Sequence, residues 1–197
     1  MAEIEKFNFK ADYQVIVDPE FPGDGSWRCP VFGYDRDGAV VDQFASRWGT
    51  PLVLEVDPMN GQRWVGMFEA SGLGGTTGVF ATPDPAQLCA VVDGLAYVIN
   101  AADPADVAAV KWQVHQIAAV DDAPVLLLVS GIDIAALGTS GILWESPRLA
   151  LDDLRVRSTA GNVIACSLYS LDGESALTLD ATTGRQLSGP QQSWPGG

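Results

Sequence analysis

A chain of 197 residues with an apolar fraction of 47% is long enough to bury a core and too apolar for wholesale disorder. Its net charge of −14 disfavours nucleic acid and anionic membranes, which both need cationic contacts, and draws a basic partner at long range. Three widely spaced cysteines (Cys29, Cys89 and Cys166) and one histidine (His115) give neither zinc spacing nor a CxxC pair. Free thiols in a reducing compartment are therefore expected, with no metal and no cofactor.

The first residues, Met-Ala-Glu-Ile-Glu-Lys, lack a basic stretch followed by an apolar one, so no signal peptide is expected. The strongly apolar run at 125–129 is far too short to span a bilayer. A cytoplasmic protein is the default expectation. Along the chain, weak alternation over 7–17 predicts a first strand that ends at Asp18-Pro19. Turn chemistry fills 21–26, and 28–34 and 39–44 form a hairpin around Asp35-Arg36-Asp37-Gly38. That turn also resembles part of a calcium loop, but Phe44 stands where an EF-hand needs its glutamate, so it is read as a turn.

Strands at 52–56 and 63–70 flank the turn Asp57-Pro58-Met59-Asn60-Gly61. The Gly-rich run 71–78 then invites a phosphate-cradling reading. The spacing refuses it, because a G-x-G-x-x-G motif starting at Gly72 needs glycine at Thr77, and no Lys-Ser or Lys-Thr closes a Walker loop. A flexible loop is expected there, with Gly72, Gly74 and Gly75 as candidate binding residues. Strands follow at 79–81, 88–92 and 95–100, the last two joined by Asp93-Gly94. Asp103-Pro104 is a good helix start, which predicts a short helical turn over 104–110 before a strand at 112–118.

The apolar run 125–129 reads as a buried central strand. The stretch 132–146 is strand, tight turn at Gly138-Thr139-Ser140-Gly141, and strand. Asp152-Asp153 is read as a turn before a strand at 154–158. Strands at 163–169 and 176–179 meet at Asp172-Gly173, and a mobile tail is expected over 188–197.

A recurring element organises these pieces: a strand end, a Gly four residues later, and a large apolar residue three beyond that. It reads Asp57-Gly61-Trp64, Leu137-Gly141-Trp144 and Asp180-Gly184-Leu187, with a degenerate copy at Asn100-Pro104-Val107 where Pro104 takes the Gly place; the Gly places are 43, 37 and 43 residues apart. A period of about forty residues with several short strands per unit is a mark of propeller blades. At 177–184 and 54–64 the chain resembles the repeat of quinoprotein-type β-propellers, in which such a turn precedes a Trp. Those enzymes are much longer, so neither their cofactor nor their catalytic residues are carried over. The stretch 143–156 also resembles segments of bacterial proteins. The expected fold is all-β: repeated antiparallel hairpins in a small propeller-like arrangement or a twisted sandwich, with at most one short helix, as a single domain over 1–187.

No G-x-S-x-G elbow accompanies His115, and no histidine cluster accompanies the carboxylates, so catalysis is not expected. Six tryptophans are many for this length. Most are expected in the core, whereas Trp27, Trp48 and Trp194 lie in loop contexts and are candidate protein-binding residues. The expected role is a non-catalytic protein-binding domain, in one version an immunity-type inhibitor of a basic partner. The competing role is a small-ligand or carbohydrate binder or hydrolase that uses the 72–78 loop with Glu69, Asp153 or His115.

Overall fold

The computed structural model describes residues 4–190, and every described element is a β-strand. The chain forms two compact units, Met1–Val114 and His115–Gly197. Each has its own apolar core.

In the first unit, β1 (Tyr13–Val17), β2 (Val31–Tyr34), β3 (Val40–Val41), β4 (Leu52–Pro58) and β5 (Trp64–Phe68) form one sheet in the order β1-β4-β5-β2-β3. All its pairings are antiparallel except that of β2 with β5, which is parallel. A second, antiparallel sheet runs in chain order through β6 (Gly78–Ala81), β7 (Gln87–Val92), β8 (Leu95–Asn100) and β9 (Val107–Lys111). Period-two burial shapes the first sheet: Leu52, Leu54, Val56 and Pro58 of β4 point inward. In the second sheet, β7 and β8 are buried on both faces. The hairpin between them has positive φ at both Asp93 (51°) and Gly94 (86°), the conformation that a two-residue I′ turn demands.

One core joins the two sheets. Phe68 stacks on Tyr34 with ring centres 4.6 Å apart and meets Tyr97 at 5.4 Å. Polar straps cross the same core. Tyr13 donates to the Gln87 carbonyl (2.9 Å), Tyr34 to that of Pro104 (2.9 Å), Tyr97 to that of Glu69 (2.8 Å), and the Trp64 indole to that of Ala101 (2.8 Å). Each hydroxyl or indole thus buries its ring without leaving its polar atom unpaired.

In the second unit, β10 (Val114–Ala119), β11 (Leu126–Ser130), β12 (Ile134–Gly138) and β13 (Gly141–Glu145) form one four-stranded sheet. A second sheet holds β14 (Asp152–Ala160), β15 (Val163–Ser170), β16 (Gly173–Asp180) and β17 (Gln186–Ser188). Both run in chain order, as a propeller blade does. Leu127, Val129 and Ile134 pack with Leu154, Ile164, Leu177 and Leu179 in one core. The Trp144 indole donates to the Ala181 carbonyl (2.8 Å). Gly184, at φ 67°, lies so close beneath the same ring that an added Cβ would stand 2.6 Å from it.

Some sequence expectations change here. Residues 104–110 hold no helical turn: a tight turn follows Asp103, and the chain then pairs with β8 as β9. The helix-start signal is real but short, and the exposed backbone edge of β8 outweighs it. Asp152 and Asp153 are strand residues at a register shift, not a turn, with Asp153 at φ 53°. Much of the expected tail lies outside the described residues, but Ser188 ends β17, which pairs with β16.

Candidate functional site

The candidate site is in the first unit and grows from the Asp35–Gly38 hairpin. Asp35 Oδ1 accepts the N–H groups of Asp37 (3.0 Å) and Ala39 (2.8 Å), which fixes the turn. One oxygen of the first carboxylate in the calcium-like string is therefore committed to its own backbone. Arg36, next in the turn, reaches inward. Its guanidinium lies 4.6 Å from the centre of the Trp112 ring and 5.2 Å from that of Trp48, so it sits against both indoles. Its Nη2 donates to the Ser71 carbonyl at 2.6 Å, while its buried Nε has no partner.

The 71–78 loop is the second part. It is not loosely held, as the sequence led one to expect. Ser71 Oγ donates to the Asp93 carbonyl and accepts the Leu73 N–H (2.9 Å). Thr76 N–H donates to Val114 (2.9 Å), Gly94 N–H donates to Thr76 (2.8 Å), and Asp93 N–H donates to Thr77 Oγ1 (2.8 Å). The glycines have different roles. Gly75 lets the loop touch the β7–β8 hairpin: a Cβ there would lie 2.6 Å from the Val114 carbonyl oxygen and 2.7 Å from Gly94 Cα. Gly72 lies against Trp48, whose Cβ would be 3.1 Å from an added methyl. Gly74 has open space around it.

The third part is the strand-free segment 42–51. Phe44 packs on the Gly33 backbone, and the Arg47 N–H donates to Glu69 Oε1 at 3.1 Å. Between this segment and the hairpin lies a cleft of about 240 Å³, bordered by Asp35, Asp37, Phe44, Trp48 and Glu69. Trp48 is 53% exposed, Trp112 38% and Leu73 57%. Sequence reasoning singled out Trp48 and Gly72, and the structure brings them together. It missed Arg36 and Trp112. Arg36 carries no signal within a turn motif, and Trp112 reads as a strand residue although it sits in the bend before β10.

Trp27 lies elsewhere in the same unit. It meets Phe21 edge to face at 5.7 Å and lines a wider cleft of about 690 Å³ with Arg28, Cys29 and Arg63. Arg63 is already paired with Glu55 (3.0 Å) and Asp57 (2.6 Å). Asp153, in the second unit, borders a cleft of about 400 Å³ with Arg157, Tyr169 and Glu174 and is paired with Arg155 (2.7 Å). His115 is exposed on β10. Trp194 lies outside the described residues. All three cysteines are free, and burial pushes the Cys89 and Cys166 thiols up to about 12. Among the described residues no group of three or more His, Cys, Asp or Glu is placed to hold a metal, and no helix is long and apolar enough to cross a membrane.

No family model and no curated protein matches the chain. Ten chains of solved structures do. One is BamB from Moraxella catarrhalis, 15% identical at a TM-score of 0.42, with 79% of this chain and 56% of that one covered. Another is an S. cerevisiae assembly of a Dbp5 variant bound to Nup159, a Gle1 variant, IP6 and ADP, 9% identical at 0.39, with 98% and 53% covered. A third is the N-terminal domain of Nup159, 9% identical at 0.35, with 98% and 55% covered. The chain spans about half the length of these structures. The likenesses are distant, and function is read below from this chain's own residues.

Proposed function

We propose that this all-β chain is a protein-binding domain and that the face around Trp48, Trp112 and Leu73 is its contact surface. The observation that carries this reading is the Arg36 guanidinium against two half-exposed indoles. A tryptophan already held in place loses little freedom when a partner covers it, and tryptophan is enriched among the residues that dominate binding energy. The acidic balance supports a basic partner, steered at long range. An immunity-type inhibitor of a basic protein is the concrete version consistent with that charge. Trp27 and Trp194 are proposed as secondary contacts.

The second reading, a small-ligand or carbohydrate site on the 72–78 loop, draws support from Glu69 at the cleft beside Trp48. The bonds that tie this loop to the β7–β8 hairpin give it little freedom to close over a ligand.

The test is capture from native lysate with the wild-type chain, Trp48→Ala and Trp112→Ala, at low and high salt, with circular dichroism confirming that each variant is folded. The expected result is one basic protein held in near-equal amount, released by salt and bound at least about 30-fold more weakly by each variant. Capture that ignores both substitutions, or no capture beside a positive ligand-stabilisation screen, overturns the reading.

A further inference from the structure

We propose that the cleft beside Trp48 receives a lysine or arginine side chain of the protein partner, with the Glu69 carboxylate as its counter-ion. This rests on the protein-binding reading and adds which side chain enters, and where.

Glu69 is only 7% exposed, yet its carboxylate takes a single hydrogen bond, the Arg47 N–H on Oε1. Buried carboxylates are ordinarily paired with a cation or surrounded by several donors, because burial strips their water. Neither compensation is present at Glu69 among the described residues. Among the described residues Oε2 takes no hydrogen bond and is not a sealed, unpaired polar atom, and Glu69 lines the cleft. Neither arginine at the cleft forms an ion pair with Glu69 among the described residues. Arg36 is held by the Ser71 carbonyl and the two indoles, and Arg47 is exposed and pairs with no carboxylate among the described residues.

The cleft has the dimensions and lining of a side-chain receptor. About 240 Å³ is below the usual range of small-ligand pockets. Phe44 and Trp48 offer apolar walls for the methylene stem of a long cationic side chain, and an indole face attracts its charged end. Arg36 shows within this chain that Trp48 accepts a guanidinium. Asp37, on the rim, adds a carboxylate that forms no ion pair among the described residues. A charge-assisted bond to Glu69 would complete the acceptor that the fold leaves open.

The experiment follows the Trp48 indole and Arg47 amide resonances of the isotope-labelled full chain. The probes are N-acetyl-arginine amide, N-acetyl-lysine amide, the neutral isostere N-acetyl-citrulline amide, and the free diamine 1,4-diaminobutane. The expected result is saturable shifts with an arginine or lysine probe, about tenfold weaker binding of the citrulline probe, and a matching loss in Glu69→Gln. Glutamine keeps an oxygen for the Arg47 N–H. Should that variant fail to fold, the citrulline comparison on the native chain decides alone. Equal response to charged and neutral probes, or no response at these resonances, overturns the proposal. Tighter binding of the free diamine than of either capped amino acid overturns its protein source. The protein-binding reading fails separately: cation binding that depends on Glu69, beside lysate capture that ignores Trp48→Ala, removes that reading and leaves a cation site.

Discussion

Trp64 stands to Ala101 as Trp144 stands to Ala181: in each pair the indole N–H donates to a carbonyl 37 residues further on, at 2.8 Å. In both pairs the tryptophan belongs to the last hairpin of one sheet in chain order, and the acceptor follows the third strand of the next sheet. The bond is therefore a latch between neighbouring sheets within a unit. Trp64→Phe leaves the Ala101 carbonyl without its donor in a site where the indole is 1% exposed, and should cost about 1–3 kcal/mol. Trp144→Phe, at a half-buried position, should cost about 1 kcal/mol. Denaturant unfolding gives both values, and amide exchange in β8 and β16 assigns each loss to its unit.

Gly184→Ala should destabilise the second unit by about 2 kcal/mol or more, since it combines a left-handed backbone with a methyl driven into the Trp144 ring. Gly161→Ala is the control. Its φ is 55° but the space around it is open, so only the backbone cost of about 1 kcal/mol remains. Equal losses in the two variants would show that the close contact with Trp144 contributes nothing.

Thiol labelling should separate the cysteines. Cys89 and Cys166 are buried, with thiols pushed up to about 12 by desolvation, so almost no thiolate exists near neutrality. Cys29 is less buried, although burial raises its thiol too. Maleimide should modify Cys29 first in the native chain and all three only after unfolding, with mass spectrometry counting the adducts.

Alkali should unfold the first unit. Burial first, with nearby negative charges second, raises the phenols of Tyr13, Tyr34 and Tyr97 above their ordinary value of 10.0. In the unfolded chain these groups lose their protons near 10.0, while in the folded chain they hold them. Their contribution is thus fully present below 10.0 and is lost as pH rises from there through the folded values. Tyrosinate absorbance from these three residues should therefore appear together with loss of exchange protection in β8. Tyrosinate formation while β8 stays protected would contradict this linkage.

Acid acts on the other unit through Asp180. Side-chain hydrogen bonds from Thr182 and Thr183 hold its carboxyl below the ordinary 3.8. The stabilisation is present above 3.8 and fades as pH falls through the lower, folded value. Asp180→Asn should flatten that part of the acid-denaturation curve and leave the alkaline limb unchanged.

Hairpins were the legible part of the fold. Asp93-Gly94 and Asp172-Gly173 mark turns that any chain would read the same way, and the apolar runs around them name the core. Asp103-Pro104 misled because capping signals are local, whereas β9 exists only because β8 has an open edge. The parallel pairing of β2 with β5 has no local signal, since each residue pairs with one 34 positions further on, as Val31 does with Val65. The same holds for the site. Trp48 and the glycines could be suspected one by one, but Arg36 gains its role only when three distant segments meet around it.

The segment 42–51 holds no strand, and its fixed points are few: Phe44 on Gly33, the Arg47 amide on Glu69, and Trp48 against Arg36 and Gly72. All three of those anchors also border the cleft. A group that fills the cleft therefore also contacts the residues that hold this segment, which couples its affinity to how the segment is held. Substitutions that loosen or stiffen 42–51 from outside the cleft would then change affinity without touching the bound group.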